Sequence, residues 1–361
     1  MAQLNGYLDP LIMGNEAEQL QASLREKIVG QDDAIAQIVD IYQTYLAGMS
    51  SPGRPIGNLL FLGPTGTGKT RLVEATAESL AGDAAAVTKI DCAEFQHSHE
   101  IAKLIGSPPG YVGHRETRPA LSQQVLNQHY TGKFNLSFVL FDEIEKASDA
   151  LWNLLLGILD KATLTLGDNS KVNFSTTMIF MTSNLGAAEM ESLLRPKIGF
   201  AASEMERQSR TGRLETGLAA RISEIGAAAA RRKFTPEFMN RIDKLLVFRP
   251  LGECELRRIL EIELQLLHRR IQKLDPERIF VLSLTDGAKD QLLLEGTDVK
   301  YGARMLKRTI ERMLVHPLCN LMASKQLYAG DIVCVDYNRN MNSMVFVKEG
   351  TGFVATSAAV S

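Results

Sequence analysis

The sequence predicts an α/β fold: a parallel five-stranded sheet flanked by helices, followed by a smaller C-terminal α+β domain. Five short runs are nearly continuous in apolar residues, as strands covered on both faces must be. Amphipathic stretches fall between them, the alternation that builds a parallel sheet with helices on both sides. Past Pro250 the texture changes to a long helical pattern and short strand-like runs.

The elements follow in chain order. Residues 1–27 read as a helical lead-in, and Gln31–Leu46 as an amphipathic helix. The strands are Asn58–Gly63, Val87–Cys92, Phe138–Asp142, Thr177–Thr182 and Lys244–Phe248, with helices at Thr70–Leu80 and Asp149–Asp160. Residues 187–233 are rich in Ala, Arg, Glu and Ser and poor in large apolar side chains, so a long mobile loop with some helix is expected. The large domain is therefore 1–250. The small domain, 251–348, holds a helix at Glu253–Leu274, a strand at Ile279–Leu284, a helix opening near Gly302, and strands at Asp331–Asp336 and Met344–Val347. The tail 349–361, rich in Gly, Ala, Ser and Thr, is expected to fray.

Composition narrows the function classes. With 45% hydrophobic and 23% charged residues, the 361-residue chain is an ordinary globular one rather than disordered or collagen-like. A formal charge of −2 gives no global basic field for nucleic acid or anionic membrane. Cys92, Cys254, Cys319 and Cys334 are scattered, without metal-site spacing or a disulfide framework, which fits a reduced, cytoplasmic setting. Neither a signal peptide nor an apolar run long enough to span a membrane is visible.

The strongest motif is Gly63-Pro64-Thr65-Gly66-Thr67-Gly68-Lys69-Thr70, a full GxxxxGK[ST] match between a strand and a helix. Its glycines let backbone N–H groups turn inward around phosphate oxygens, and the helix N-terminus adds partial positive charge. Lys69 suits the β- and γ-phosphates, and the Thr70 hydroxyl suits Mg²⁺. At the end of the strand FVLFDE stand Asp142, suited to hold Mg²⁺, and Glu143, suited to orient and deprotonate an attacking water.

The run Ile28-Val29-Gly30-Gln31, the loop Gly63–Thr70, FVLFDEIEKA at 138–147 and Thr182-Ser183-Asn184 together resemble the AAA+ P-loop ATPases. RPIGNLLFLGPTGTGKT, SPPGYVG, FTPEFMNRID and YGARMLKR are similar to the second ATPase module of the Clp unfoldases ClpA, ClpB and ClpC. The resemblance implies several roles. Asn184 matches the first sensor, which holds the lytic water and the γ-phosphate. Arg241 matches an arginine finger acting in trans on a neighbouring subunit's ATP; a plain ion pair with Asp243 is the alternative. Arg304 matches the second sensor, in a small domain that serves as a lid. Ile28 and Val29 lie where the family packs adenine. A finger in trans implies a ring, and the family's rings are hexamers.

The same resemblance places a substrate-gripping pore loop at Ser107–Gly113, with Tyr111 and Val112 as the grip; a tyrosine anchoring a proline-rich turn is the competing reading. Ile198-Gly199-Phe200 matches a tripeptide used to dock a ClpP-like peptidase, and packing against its own loop stands equal to it. His114–Asn135 and Lys161–Lys171 depart from the family pattern around the pore. The length leaves room for one ATPase module rather than two, which makes disaggregation of the ClpB kind doubtful. The implied function is an ATP- and Mg²⁺-dependent protein unfoldase or remodelling chaperone, acting as a homo-hexamer on polypeptides. A nucleotide-dependent switch for one complex is the alternative, and a nucleic-acid-acting ATPase is a weaker one resting on Arg231-Arg232-Lys233 and Arg269-Arg270.

Overall fold

The computed structural model describes residues 9, 12–106, 119–131, 134–194, 213–297 and 302–351. The chain divides into two compact units, a larger one of residues 1–64 and 68–249 and a smaller one of residues 65–67 and 250–361.

In the larger unit, β1 (Gly57–Leu62), β2 (Val87–Asp91) and β3 (Ser137–Asp142) are followed by a short hairpin, β4 (Thr163–Thr165) and β5 (Lys171–Asn173). The strands β6 (Thr177–Ser183) and β7 (Lys244–Val247) complete the set. The main sheet is parallel, in the order β2-β3-β6-β1-β7. The five expected strands are thus all present and in one sheet. Burial follows position in it. Every residue of central β1 and β6 is buried, whereas edge strands β2 and β7 are mixed. That is why Lys89 and Asp91 are tolerated in β2 while β1 reads GNLLFL.

Alternate residues of β1 feed opposite faces. Leu59 and Phe61 join Phe180, Phe248, Ile35, Ile38, Leu72 and Val73 on one side. Leu60 and Leu62 join Val139, Phe141, Leu151, Leu155, Ile158 and Phe238 on the other. The flanking helices are Asn15–Lys27, Asp32–Leu46 and Lys69–Ala81 on the first face and Asp149–Lys161 on the second. Helix Lys69–Ala81 stops at Gly82, whose φ of +77° closes the last turn.

The stretch 187–233 carries more helix than its composition suggests, at Ala187–Leu194 and Arg213–Lys233. The small side chains explain this. Ala229 and Ala230 are buried with Ile222, and a Cβ on Gly226 would sit 2.8 Å from Val247. A narrow alanine–glycine face therefore packs on β7 without large apolar residues. The hairpin β4–β5 falls on the Lys161–Lys171 segment that departs from the family pattern.

In the smaller unit, β8 (Val281–Leu284), β9 (Asp331–Asn338) and β10 (Ser343–Thr351) form a sheet in the order β10-β9-β8. β8 runs parallel to β9, and β10 antiparallel with a bulge at Lys348–Gly350. The last strand continues to Thr351, three residues into the tail expected to fray. Helix Glu253–Gln272 buries Leu256, Leu260, Leu264 and Leu267 at helical spacing against Leu292, Leu306, Leu314 and Val333. Helix Asp286–Gly296, capped by the Thr285 hydroxyl on the Ala288 N–H, adds an element absent from the sequence reading. A π-helical turn at Glu311–Val315 precedes Pro317, whose missing N–H leaves the ladder one bond short. Among the described residues no helix is long and apolar enough to cross a membrane.

Candidate active site

Parallel pairing brings the carboxyl ends of all five strands to one edge of the sheet. Leu62 is level with Ser183 and Val247, and Asp91 with Asp142. The segments that leave β1, β3 and β6 there carry Gly63–Thr70, Asp142-Glu143 and Asn184, residues far apart in sequence. Ligand sites of open parallel sheets form at such an edge.

Gly63 opens the loop with φ +136°, and a Cβ on it would lie 2.5 Å from the Phe248 carbonyl oxygen. Only glycine lets the chain turn so close under β7. Gly68 has φ +99° and caps helix Lys69–Ala81, leaving the N–H groups of the first turn free of intrahelical partners. Thr70 stands in that first turn. The Lys69 ammonium is buried and donates to Gly63 O at 2.6 Å, Pro64 O at 2.9 Å and Asn184 Oδ1 at 2.9 Å. It is thereby drawn into the loop.

Asn184 connects that cation to the acids. Its Nδ2 donates to Glu143 Oε1 at 3.4 Å, and its N–H to Glu145 Oε1 at 3.1 Å. The other Glu143 oxygen accepts from the Lys146 ammonium, and this bond raises the Lys146 pKa above the usual lysine value. Glu143 has left-handed backbone (φ 54°, ψ 48°), a region that non-glycine residues rarely occupy. Its N–H is held by Thr182 Oγ1 at 3.1 Å, and the same hydroxyl donates to Asp142 Oδ1. Cys92, fully buried at the end of β2, has its thiol pKa pushed well up by burial first and by Asp142 and Asp91 next. It stays protonated and chemically quiet.

Ile28 and Val29 enter the second helix through Gly30. Ile28 is buried against the face carrying Phe61 and Phe248. Gln31 and Arg249 clamp this segment to the end of β7: Gln31 Nε2 donates to Arg249 O at 3.0 Å, and Arg249 N–H to Gln31 Oε1 at 3.2 Å. Between them lies a small recess of about 100 Å³ lined by Gly30, Gln31, Asp33, Val247 and Arg249.

Arg241 is not part of this edge. It follows helix Pro236–Met239, at the amino end of β7. Its carbonyl accepts from Asn58 Nδ2 at 3.0 Å and Arg54 at 3.3 Å. Its guanidinium donates to Glu237 O at 2.9 Å and pairs with the Glu237 carboxylate at 3.1 Å and with Asp160 at 3.7 Å. Asp243, the partner considered from sequence, instead accepts from the Asn58 N–H at 2.8 Å and pairs with Arg54. Within the smaller unit, Arg304 is exposed in the first turn of helix Ala303–Ile310, behind Gly302 at φ +49°. Tyr111 and Val112 of the Ser107–Gly113 loop, and Ile198-Gly199-Phe200, lie outside the described residues.

Sequence reasoning passed over Thr182, Glu145, Lys146, Asp160 and Glu237. Thr182 had a signal, a polar side chain ending an otherwise apolar strand next to Asn184. Asp160 and Glu237 had none, because their pairing with Arg241 depends on how a helix and a turn meet.

Residues 54–245 match the family profile of the AAA domain (Cdc48 subfamily), and residues 251–335 that of the C-terminal, D2-small domain of ClpB protein. The chain is 37% identical over 318 residues to chaperone protein ClpB 2 of Thermosynechococcus vestitus, covering 88% of this chain and 32% of that protein. Chaperone protein ClpB of Bdellovibrio bacteriovorus is 38% identical over 341 residues (94% and 36%), and chloroplastic ClpC2 of Arabidopsis thaliana 36% over the same length (94% and 34%). Among solved structures, the S. cerevisiae Hsp104:casein complex in its extended conformation superimposes with a TM-score of 0.75 at 27% identity, covering 93% of this chain and 53% of that one. A closed-state reconstruction of Hsp104 with ATPγS and FITC casein gives 0.71 at 27%, with 92% and 52% covered. The chain thus spans about a third of the length of the curated relatives it matches. It belongs to the AAA+ ATPases of the Clp/Hsp104 unfoldase family and has the architecture of that family's C-terminal ATPase module.

Proposed function

We propose that this chain hydrolyses ATP and uses the cycle to unfold or remodel polypeptides within a ring. The observation that carries the reading is the continuous line from the Lys69 ammonium through Asn184 to Glu143, at the carboxyl edge of the sheet. The fit to a nucleotide rests on the Gly63 approach under Phe248 and on the helix N-terminus that opens behind Gly68 at the end of the loop. Gly63–Thr70 would cradle the phosphates, with Ile28 and Val29 against adenine. Thr70 and Asp142 would hold Mg²⁺, which supplies charge neutralisation between phosphates.

The residues then divide the work. Lys69 neutralises phosphate charge. Glu143 accepts the proton of the attacking water, and Asn184 orients that water. Arg241 completes the charge stabilisation for a neighbouring subunit. Residues 1–250 form the ATPase domain and 251–348 its lid, through which Arg304 reports nucleotide state. The relatives are named as chaperone proteins, and both Hsp104 structures hold casein. Polypeptide is accordingly the substrate class for this chain, gripped by Tyr111 and Val112 in a homo-hexameric pore. Docking of a ClpP-like peptidase through Ile198–Phe200 is the finer part of the same reading.

Glu143→Gln tests it. The variant is expected to bind ATP, assemble, and turn over at least about 100-fold slower than the parent. It should also retain unfolded protein in a pull-down. Normal turnover in Glu143→Gln removes the assigned base. Tight ATP binding with no retained polypeptide removes the unfoldase role.

A further inference from the structure

We propose that Thr182 positions both acids of the site at once, and that turnover depends on its hydroxyl as well as on the carboxylates it holds. The proposal rests on the ATPase reading above and adds a residue to it.

Thr182 lies near the end of β6, 1% exposed, in the strand adjacent to β3. Parallel register places Met181 level with Phe141, which brings residue 182 beside Asp142. A hydroxyl has one proton to give and lone pairs to receive. Here the proton goes to Asp142 Oδ1, and a lone pair receives the Glu143 N–H at 3.1 Å. The first bond sets the rotation of the Asp142 carboxylate. The second holds Glu143 at φ 54°, which turns the chain out of the strand just where the side chain must leave it.

From that turn Glu143 reaches Asn184 with one oxygen and Lys146 with the other. One buried hydroxyl therefore sets the direction of two neighbouring carboxylates with different tasks. Valine has the same shape and can make neither bond. It would leave the Glu143 N–H without its partner and put a methyl group against the Asp142 oxygen. Serine keeps both bonds and loses only a methyl group.

The test compares Thr182→Val and Thr182→Ser in the full chain. Turnover is measured with Mg-ATP, and binding of the fluorescent nucleotide mant-ADP is measured with and without Mg²⁺. Thr182→Val is expected to bind mant-ADP normally without Mg²⁺ and to lose about 10-fold of the tightening that Mg²⁺ provides. Its kcat should fall at least about 10-fold with KM for ATP nearly unchanged, and Thr182→Ser should restore both. Thr182→Ala carries the same expectation if the valine variant does not fold.

Parent-like kcat and Mg²⁺ response in Thr182→Val overturns the inference. So does a serine variant that falls as far as valine with a matching loss of thermal stability, because packing would then be the role. A parent chain with no Mg-nucleotide binding or turnover overturns the ATPase reading, and this inference with it. Turnover in the parent, its loss in Glu143→Gln and its persistence in Thr182→Val overturn this inference alone.

Discussion

The two edges of the main sheet are both polar, yet they are built differently. At the carboxyl edge, Lys69, Asn184, Glu143, Thr182 and Asp142 bond to one another around a glycine loop into which the Lys69 ammonium is drawn. At the amino edge, Asn58, Arg54, Asp243 and Arg241 are knotted into the start of β1 and β7, and Arg241 is gripped by Glu237 and Asp160. The first arrangement leaves a cradle; the second closes on itself. The six residues of β1 separate them, about 20 Å at a strand's rise of about 3.3 Å per residue. Arg241 is too far along the strand to serve the loop of its own chain. That separation favours the proposed in-trans reading, in which the arginine would exchange two carboxylates for a neighbour's phosphate.

The largest expected effect tests that exchange. Arg241→Ala should lower turnover about 1,000-fold in assembled protein, while mixing it with Lys69→Ala subunits should restore part of the activity. Each variant alone would be dead, and mixed rings place an intact Arg241 beside an intact loop. Absence of recovery on mixing would reduce Arg241 to a structural ion pair. Lys69→Ala itself should weaken mant-ADP binding about 100-fold, because the charge facing the phosphates is lost.

Asp243→Ala should destabilise the larger unit by about 1–3 kcal/mol in urea unfolding, since it strips the Asn58 N–H and Arg54 of their partner. Nucleotide affinity should be unmoved. A fall in affinity would show that the two edges are coupled rather than independent. Asp160→Asn should be milder, changing turnover by no more than about threefold, because the Asp160–Arg241 pair is partly exposed and long at 3.7 Å.

The smallest effect lies in the other unit and serves as a control. The Lys348 hydrogen bond, helped by the Tyr328 N–H, holds the Asp331 carboxyl below the usual carboxylate range, against its own burial. A lowered folded pKa contributes stability above the unfolded value of about 3.9, and that stability is lost as pH falls through the folded value. Thermal unfolding of the parent should therefore fall off more steeply below about pH 4 than that of Asp331→Asn. ATP turnover at neutral pH should be the same in both. Identical acid profiles would remove Asp331 as the titrating group.

Much of the carboxyl edge was legible beforehand. Gly63–Thr70, Asp142, Glu143 and Asn184 each follow an apolar strand, and parallel strands must deliver their ends to one edge. Three things were not legible. Helix Arg213–Lys233 packs largely through small residues such as Ala229 and Ala230, and a segment so poor in large apolar side chains reads as loop. Helix Asp286–Gly296, in the small domain, shows hardly any apolar stripe in its sequence although Leu292 and Leu293 are buried. The partner of Arg241 was sought at Asp243, two residues away, yet two residues is the wrong spacing for side chains to meet on a turn. Glu237, four residues back, and Asp160 take it instead.

By itself the sequence determined the strands, the phosphate-shaped loop and the chemical identity of the site residues. These depend on local period, on glycine's conformational freedom and on charge, all of which a short window contains. Tertiary structure alone decided the partners: Thr182 on both acids, Asn184 between Lys69 and Glu143, Asp160 on Arg241. Each of those contacts joins residues some 40 to 115 positions apart. Strand order and register set such distances, and no local window carries either.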